Sequence, residues 1–260
     1  MATGQRRSPD LLTRQQMLQK IRTALRKGAA PTASTPSDLA SLPDLGPVLP
    51  VISPAELVAT FEDELRKVGG YTYRVESRHR IAEVLGRILK IDGSGLPARL
   101  EGLVLSRNPL LARIRLKEVI ESLGISAWPW PSAPGSGLAR EDERAYREHC
   151  FSAGAGITGV DFALAESGSI VLTSRTEGSQ LSSLAPPVHI AFYLQSQVVG
   201  SLEEVIEGLA ARGLSPSDSS GRSIVVVTGT SRTADIEQIL IRGVQGPREV
   251  HAVLIEGMAD

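Results

Sequence analysis

Cysteine is almost missing: Cys150 is the only one in 260 residues. One thiol closes no disulfide within the chain. It also excludes an all-cysteine zinc or iron–sulfur site built from this chain alone. Aromatic residues make up 4% of the sequence, too few for a base-stacking platform. Neither sign of charge dominates: 28 Lys and Arg meet 29 Asp and Glu, for a formal net charge of -1. A broad nucleic-acid surface would normally be basic, so the balance argues against that class. No apolar run approaches the roughly 18 residues of a membrane span. The start, MATGQRRSPD, carries charge but no apolar stretch of a secretion signal. The histidines, His79, His149, His189 and His251, are scattered, and none forms an H-x-x-x-H pair for a metal. These absences point to a cytoplasmic protein that carries no metal or redox cofactor of its own.

What is present is an ordinary globular composition, 42% hydrophobic and 22% charged. Residues 13–27 predict a helix, with Leu18, Ile21 and Leu25 as its apolar stripe and Gly28 as its stop. Residues 29–54 are rich in Pro, Ala and Ser and read as a linker or extended arm. From Ser53 the pattern becomes regular. Helices are expected at 53–70, 77–91, 108–124, 140–154, 201–213 and 231–243. Strands are expected at 71–76, 102–106, 125–128, 160–166, 169–173, 188–195, 223–229 and 249–257. This alternation predicts an α/β fold with a mainly parallel sheet flanked by helices. It divides the chain into an N-terminal helix and arm, 1–52, and one α/β domain, 53–257.

Chemistry concentrates between Gly154 and Gln195. GAGITG (154–159) matches G-x-G-x-x-G, but a polar helix precedes it and a strand pattern follows, which is the wrong context for a dinucleotide site. Its glycines are expected to allow positive φ or the close approach of a ligand. VDFALAE-SG-SIVLT predicts a hairpin with both strands apolar. Period-two alternation puts Glu166 on an apolar face near its turn, either anchoring that turn or serving a pocket as base, nucleophile or ligand anchor. SRTEGSQLSSLAPP (174–187) reads as a long polar loop in which Arg175 and the hydroxyls could receive an anion. His189 follows it, as a structural strand histidine or a candidate. The second stretch, VVVTGTSRTADIE (225–237), predicts a buried strand followed by a helix N-terminus. There Thr230, Ser231, Arg232 and Thr233 favour an anion, with Thr233 as cap and Asp235 complementing the dipole. Together these features predict a pocket between the 174–186 loop, Glu166 and the 229–235 turn.

GITGVDFALAESGSIVL, LAPPVHI and GTSRTADIEQILIRGVQGP, with LQKIRTALRKG near the start, resemble the signature blocks of the lactate-utilisation protein C family, which carries the LUD domain. The resemblance covers most of the chain. It implies a fold like that of the glucosamine-6-phosphate isomerase, ribose-5-phosphate isomerase and CoA-transferase group. It also implies a part in oxidation of L-lactate to pyruvate beside two iron–sulfur partner proteins, which hold the clusters. A small carboxylate or phosphate is the expected ligand. Carried over, the signature positions are Gly156, Thr158, Gly159, Glu166, Gly168, Pro186, His189, Ser231, Asp235, Gly246 and Pro247. Glu166 becomes the catalytic candidate. Thr158, Arg175, His189, Thr230, Ser231, Arg232, Asp235 and Gln245 become the ligand-binding candidates. Gln245 stands where the family often has histidine, and Ser179 and Gln180 stand near a frequent arginine; neither glutamine titrates near neutral pH. The alternative reading is a stand-alone CoA-transferase- or isomerase-like enzyme with Glu166 as nucleophile or base.

Overall fold

A computed structural model describes residues 14–27, 51–90, 101–131, 140–213, 223–234, 240–243 and 246–257. It separates into two compact units, Met1–Pro50 and Val51–Asp260. The first contributes one described element, helix α1 (Arg14–Lys27). Among the described residues no helix is long and apolar enough to cross a membrane.

The second unit begins with α2 (Leu57–Lys67), β1 (Tyr71–Val75) and α3 (Arg78–Ile88). The Ser77 hydroxyl caps α3, and Ile81, Val84, Leu85 and Ile88 form its buried stripe, as their spacing predicts. β2 (Gly102–Leu105) follows, every residue buried, then α4 (Pro109–Arg113) and α5 (Leu116–Ser122). One continuous helix was expected over 108–124. The break falls at Arg115, whose φ is 54°. Ile114 and Leu116 are both fully buried, and residues two apart lie on opposite sides of a helix, so burying both requires the kink.

β3 (Ser126–Pro129), α6 (Arg140–Ser152) and β4 (Ala155–Thr158) come next. The hairpin β5 (Phe162–Leu164) and β6 (Ser169–Thr173) pairs Leu164 with Ser169 across a turn at 165–168. The stretch expected as a long loop instead forms two short helices, α7 (Ser174–Glu177) and α8 (Leu181–Leu184). After these come β7 (Val188–Leu194), β8 (Val198–Val199), α9 (Leu202–Ala211), β9 (Ile224–Val227), β10 (Arg232–Ala234), β11 (Leu240–Arg242) and β12 (Glu249–Ile255).

Six strands form one parallel sheet in the order β1-β12-β7-β4-β2-β3. One face packs Leu103, Leu105, Ile157, Ile190, Phe192 and Val253 against α3, α4 and α5. The other packs Ala191, Tyr193, Val250 and Leu254 against α2 and a second sheet, and Val104 against α6. The second sheet has the order β8-β5-β6-β9, and α9 covers its outer face through Val205 and Leu209.

Two expectations fail at the C-terminal end. β9 is not a buried strand of the main sheet. It pairs antiparallel with β6 at the edge of the second sheet, leaving Ile224 47% and Val226 51% exposed. A short apolar run does not reveal whether one face or both will be covered. The described residues 231–234 and 240–243 do not form the expected helix: β10 and β11 pair antiparallel, with Thr233 opposite Ile241. β-branched Thr233 and Ile241 suit that ladder, and the Ser231 N–H to the Pro247 carbonyl (3.1 Å) closes its base.

Candidate functional site

Neighbouring strands whose exits turn to opposite faces open a crevice at their carboxyl ends. β2 and β4 are such a pair. β2 exits to α4 on one face, and β4 exits to the β5–β6 hairpin on the other. Ser106 and Asn108 follow β2, and Gly159 and Asp161 follow β4. Into this crevice the turn after β6 inserts Glu177, whose side chain is 1% exposed.

Three donors hold the Glu177 carboxylate. Ser106 Oγ donates to Oε2 at 2.5 Å, Asn108 Nδ2 donates to Oε1 at 2.5 Å, and the Gly159 N–H donates to Oε2 at 3.2 Å. The other side of the Asn108 amide is fixed, because its Oδ1 caps α4 by accepting the Leu110 N–H at 3.0 Å. Burial raises the Glu177 carboxyl to about 7, helped by the nearby Asp161 charge and opposed by its three donors. Asp161, equally buried, accepts from the Thr173 N–H (2.7 Å), Thr176 Oγ1 (2.7 Å) and Arg212 (3.2 Å). The Arg212 guanidinium also lies over the Phe162 ring, 4.4 Å from its centre. A carboxyl near 7 can exchange a proton at neutral pH. Both oxygens of Glu177 are engaged from within, however, so its first role is to clamp the β2 and β4 exits to the second sheet.

The glycines of GAGITG serve this packing. Neither Gly156 nor Gly159 has a positive φ, contrary to expectation. A Cβ on Gly159 would run into the Asn108 side chain, and one on Gly156 into the Ser182 carbonyl of α8. They admit a close approach by the protein itself rather than by a ligand.

Beside this network lies a cleft of ≈ 470 Å³ between α6, Trp130, the start of β9 and the α7–α8 turn. Arg147, Glu143, Ser174, Ser179 and Gln180 supply its polar groups. Gly178, at φ 78°, lets the Trp130 indole lie against the backbone; a Cβ there would come within 2.9 Å of the ring. Tyr146 meets Trp130 edge-on at 4.9 Å, and its hydroxyl donates to the Leu105 carbonyl at 2.9 Å. Cys150 packs behind, its thiol pushed up to about 11 by burial. Among the described residues no group of three His, Cys, Asp or Glu could hold a metal.

Of the sequence candidates whose side chains are described, Thr158, Glu166, Arg175, His189, Thr230 and Ser231, none lines this cleft. Glu166 Oε1 accepts the Leu202 N–H at 2.9 Å, tying the hairpin turn to the start of α9, where the helix dipole favours a carboxylate. Arg175 is exposed and donates to the Arg212 carbonyl. Thr158 Oγ1 hydrogen-bonds His189 Nε2 at 2.9 Å, both side chains fully buried. Thr230 is buried before the β10–β11 hairpin, and Ser231 closes its base through backbone bonds. Arg232 lies in β10, so the helix N-terminus expected to gather Thr230, Ser231 and Arg232 around an anion does not form. Asp235 and Gln245 lie outside the described residues. Ser106, Asn108, Asp161 and Glu177 are not among the site candidates that the sequence offers. The carboxyl-end rule, applied to the expected strand 102–106, points to Ser106 and Asn108, whereas Asp161 was out of its reach because β4 was not expected as a strand.

Burial lowers His189 to about 3, so it is neutral, and its Nδ1 has no partner among the described residues. Thr158→Val removes the partner of Nε2. We expect it to cost roughly 1–3 kcal/mol, read as a lower urea midpoint at unchanged slope. An unchanged midpoint would show that this bond does not hold β4 to β7.

Comparison with known proteins adds four findings. The model of the LUD domain family matches residues 58–255. Lactate utilization protein C of Deinococcus radiodurans is 29% identical over 219 residues, 83% of this chain and 88% of that protein. Lactate utilization protein C of Bacillus subtilis is 27% identical over 68% of this chain and 76% of its own length. The crystal structure of a DUF162 family protein from Deinococcus radiodurans covers 78% of this chain and 99% of its own, with a TM-score of 0.51 and 19% identity, a likeness of fold.

Proposed function

The chain belongs to the LUD domain family, and we propose that it serves lactate utilisation, as a cytoplasmic component of a system that oxidises L-lactate to pyruvate beside iron–sulfur partner subunits. The observation that carries this reading is the extent of the match to the Deinococcus radiodurans lactate utilization protein C, 88% of that protein's length. The division of labour is supported by the single cysteine, buried against Tyr146, which leaves the chain no cysteine set for a cluster. The rival, a stand-alone transferase or isomerase with Glu166 as nucleophile, has less support, because that carboxylate caps α9 and does not line the cleft.

Deletion of the gene is expected to abolish growth on L-lactate as sole carbon source while sparing growth on glucose, with rescue by a plasmid copy. A Glu166→Gln copy is expected to rescue fully, since the amide oxygen still accepts the Leu202 N–H. Unimpaired growth of the deletion strain, in a genome without a second member of the family, overturns the proposal. Failure of the Glu166→Gln copy, if the protein is folded and abundant, favours the rival. A tagged chain is expected to co-purify with proteins carrying iron and acid-labile sulfide.

A further inference from the structure

We propose that the cleft between α6 and the α7–α8 turn binds a small monocarboxylate carried on a flat, unsaturated body, with Arg147 and Gln180 holding the carboxylate and the Trp130 indole stacking the body. This goes beyond the lactate reading and does not depend on it.

The size fits first. At ≈ 470 Å³ the cleft falls within the range of roughly 300–1,000 Å³ typical of small-molecule sites and exceeds what a three-carbon acid fills. The donors come next. Arg147 has no hydrogen bond or ion pair among the described residues, and the Gln180 Nε2 is buried with no hydrogen-bond partner among them. A buried amide nitrogen left unpaired is costly, and a ligand oxygen would relieve it. The Ser179 hydroxyl accepts the Leu181 N–H at 3.2 Å and the Ser174 hydroxyl accepts the Ser223 N–H at 3.1 Å, so each keeps its own proton to donate. A guanidinium fork, an amide and two hydroxyls together suit a carboxylate.

Charge then limits the ligand to one anionic group. Glu143 lines the same cleft, four residues before Arg147 on α6 and therefore on the same helix face. It repels a second negative charge, which disfavours a phosphate monoester. The floor supplies the preference for a flat body. Trp130 is held by Gly178 beneath it and by the Tyr146 edge, whose hydroxyl is tied to β2. The ring is thus positioned before any ligand arrives, which lowers the entropic cost of stacking on it.

Calorimetric titration of the purified full chain tests this with four probes: benzoate, benzamide, phenyl phosphate and L-lactate. Benzoate is expected to bind at least tenfold more tightly than benzamide, which lacks the charge, and than L-lactate, which lacks the ring. Arg147→Gln and Gln180→Glu are each expected to weaken benzoate roughly tenfold or more. Trp130→Leu should bring benzoate down to the level of L-lactate. Glu143→Gln should raise affinity for phenyl phosphate more than for benzoate. Arg147 is exposed, so its variant should melt with the wild type, and lost binding there is not unfolding. Equal affinity for benzoate and benzamide, an unchanged affinity in both Arg147→Gln and Gln180→Glu, or no binding of any probe overturns the inference. Growth on L-lactate is unaffected by these outcomes, so failure here and failure of the lactate reading are distinct results.

Discussion

Glu177→Ala is expected to destabilise the protein by about 4 kcal/mol, because it leaves Ser106, Asn108 and the Gly159 N–H as buried donors facing a hole. Asn108 cannot turn away, since its other end caps α4. Glu177→Gln should cost less than Ala but still destabilise at pH 6. Its NH₂ must meet either Asn108 Nδ2 or the Gly159 N–H, and both are donors. The pH dependence separates charge from shape. The folded carboxyl stands at about 7 against 4.5 for an ordinary one, so the folded state holds the proton more tightly. Glu177 therefore contributes stability that is full below 4.5 and is lost as pH rises through 7. His189 runs the other way. Lowered from 6.5 to about 3, it contributes stability above 6.5 that is lost as pH falls toward 3. Between 4.5 and 6.5 the two slopes, each about 1.4 kcal/mol per pH unit, oppose each other and nearly cancel. These two groups thus give a plateau that falls on the acid side through His189 and on the alkaline side through Glu177. Unfolding free energies measured from pH 5 to 8.5 should show the alkaline fall in wild type and lose it in Glu177→Gln. The same fall in both proteins would place that proton on another group.

The helices α2, α3 and α9 and the strands β1, β2, β7 and β12 were legible because each carries its environment in its own pattern. The stripe of α3 and the all-apolar run of β2 need no distant residue to be read. The α4–α5 break was hidden, because Ile114 and Leu116 satisfy a helical pattern with their neighbours until both must be buried at once. The ends of the helix expected over 231–243 were misread because Ser231 and Thr233 fit a helix start, while the pairing that decides the outcome at the described residues joins Thr233 to Ile241. The site was the least legible part. The partners of Glu177 lie 71, 69 and 18 positions away, so no local window shows that this acid is buried. Its neighbours in sequence, Thr176 and Gly178, look like loop. Glu166 attracted the reading because alternation put an acid on an apolar face; the α9 N–H that it meets comes from 36 positions on.

Gly156→Ala is expected to have the second large effect, and it shows how the G-x-G-x-x-G look arises without a nucleotide. Gly156 lies in β4, inside the parallel sheet, paired with β2 on one side and β7 on the other, so its backbone cannot retreat. An added Cβ would overlap the Ser182 carbonyl oxygen, lie 2.7 Å from its carbon and stand 3.0 Å from Pro186 Cγ. These are backbone and ring atoms, not the far end of a flexible chain. Helix α8 must therefore shift as a body, and its own Ser182 and Ser183 are buried. Overpacking of this kind costs about 3 kcal/mol, which for a domain of this size lowers the melting temperature by roughly 6–12 °C. Gly86→Ala is the internal control. It sits within α3, where a Cβ meets nothing within 4 Å. Helix propensity should make it stabilising by roughly 0.5–1 kcal/mol. Because Gln180 and Leu181 line the cleft at the start of α8, Gly156→Ala should also weaken benzoate in any folded fraction, whereas Gly86→Ala should leave it unchanged. A Gly156→Ala protein that melts with the wild type would mean that α8 yields freely, and the cleft wall it carries would then be soft rather than preformed.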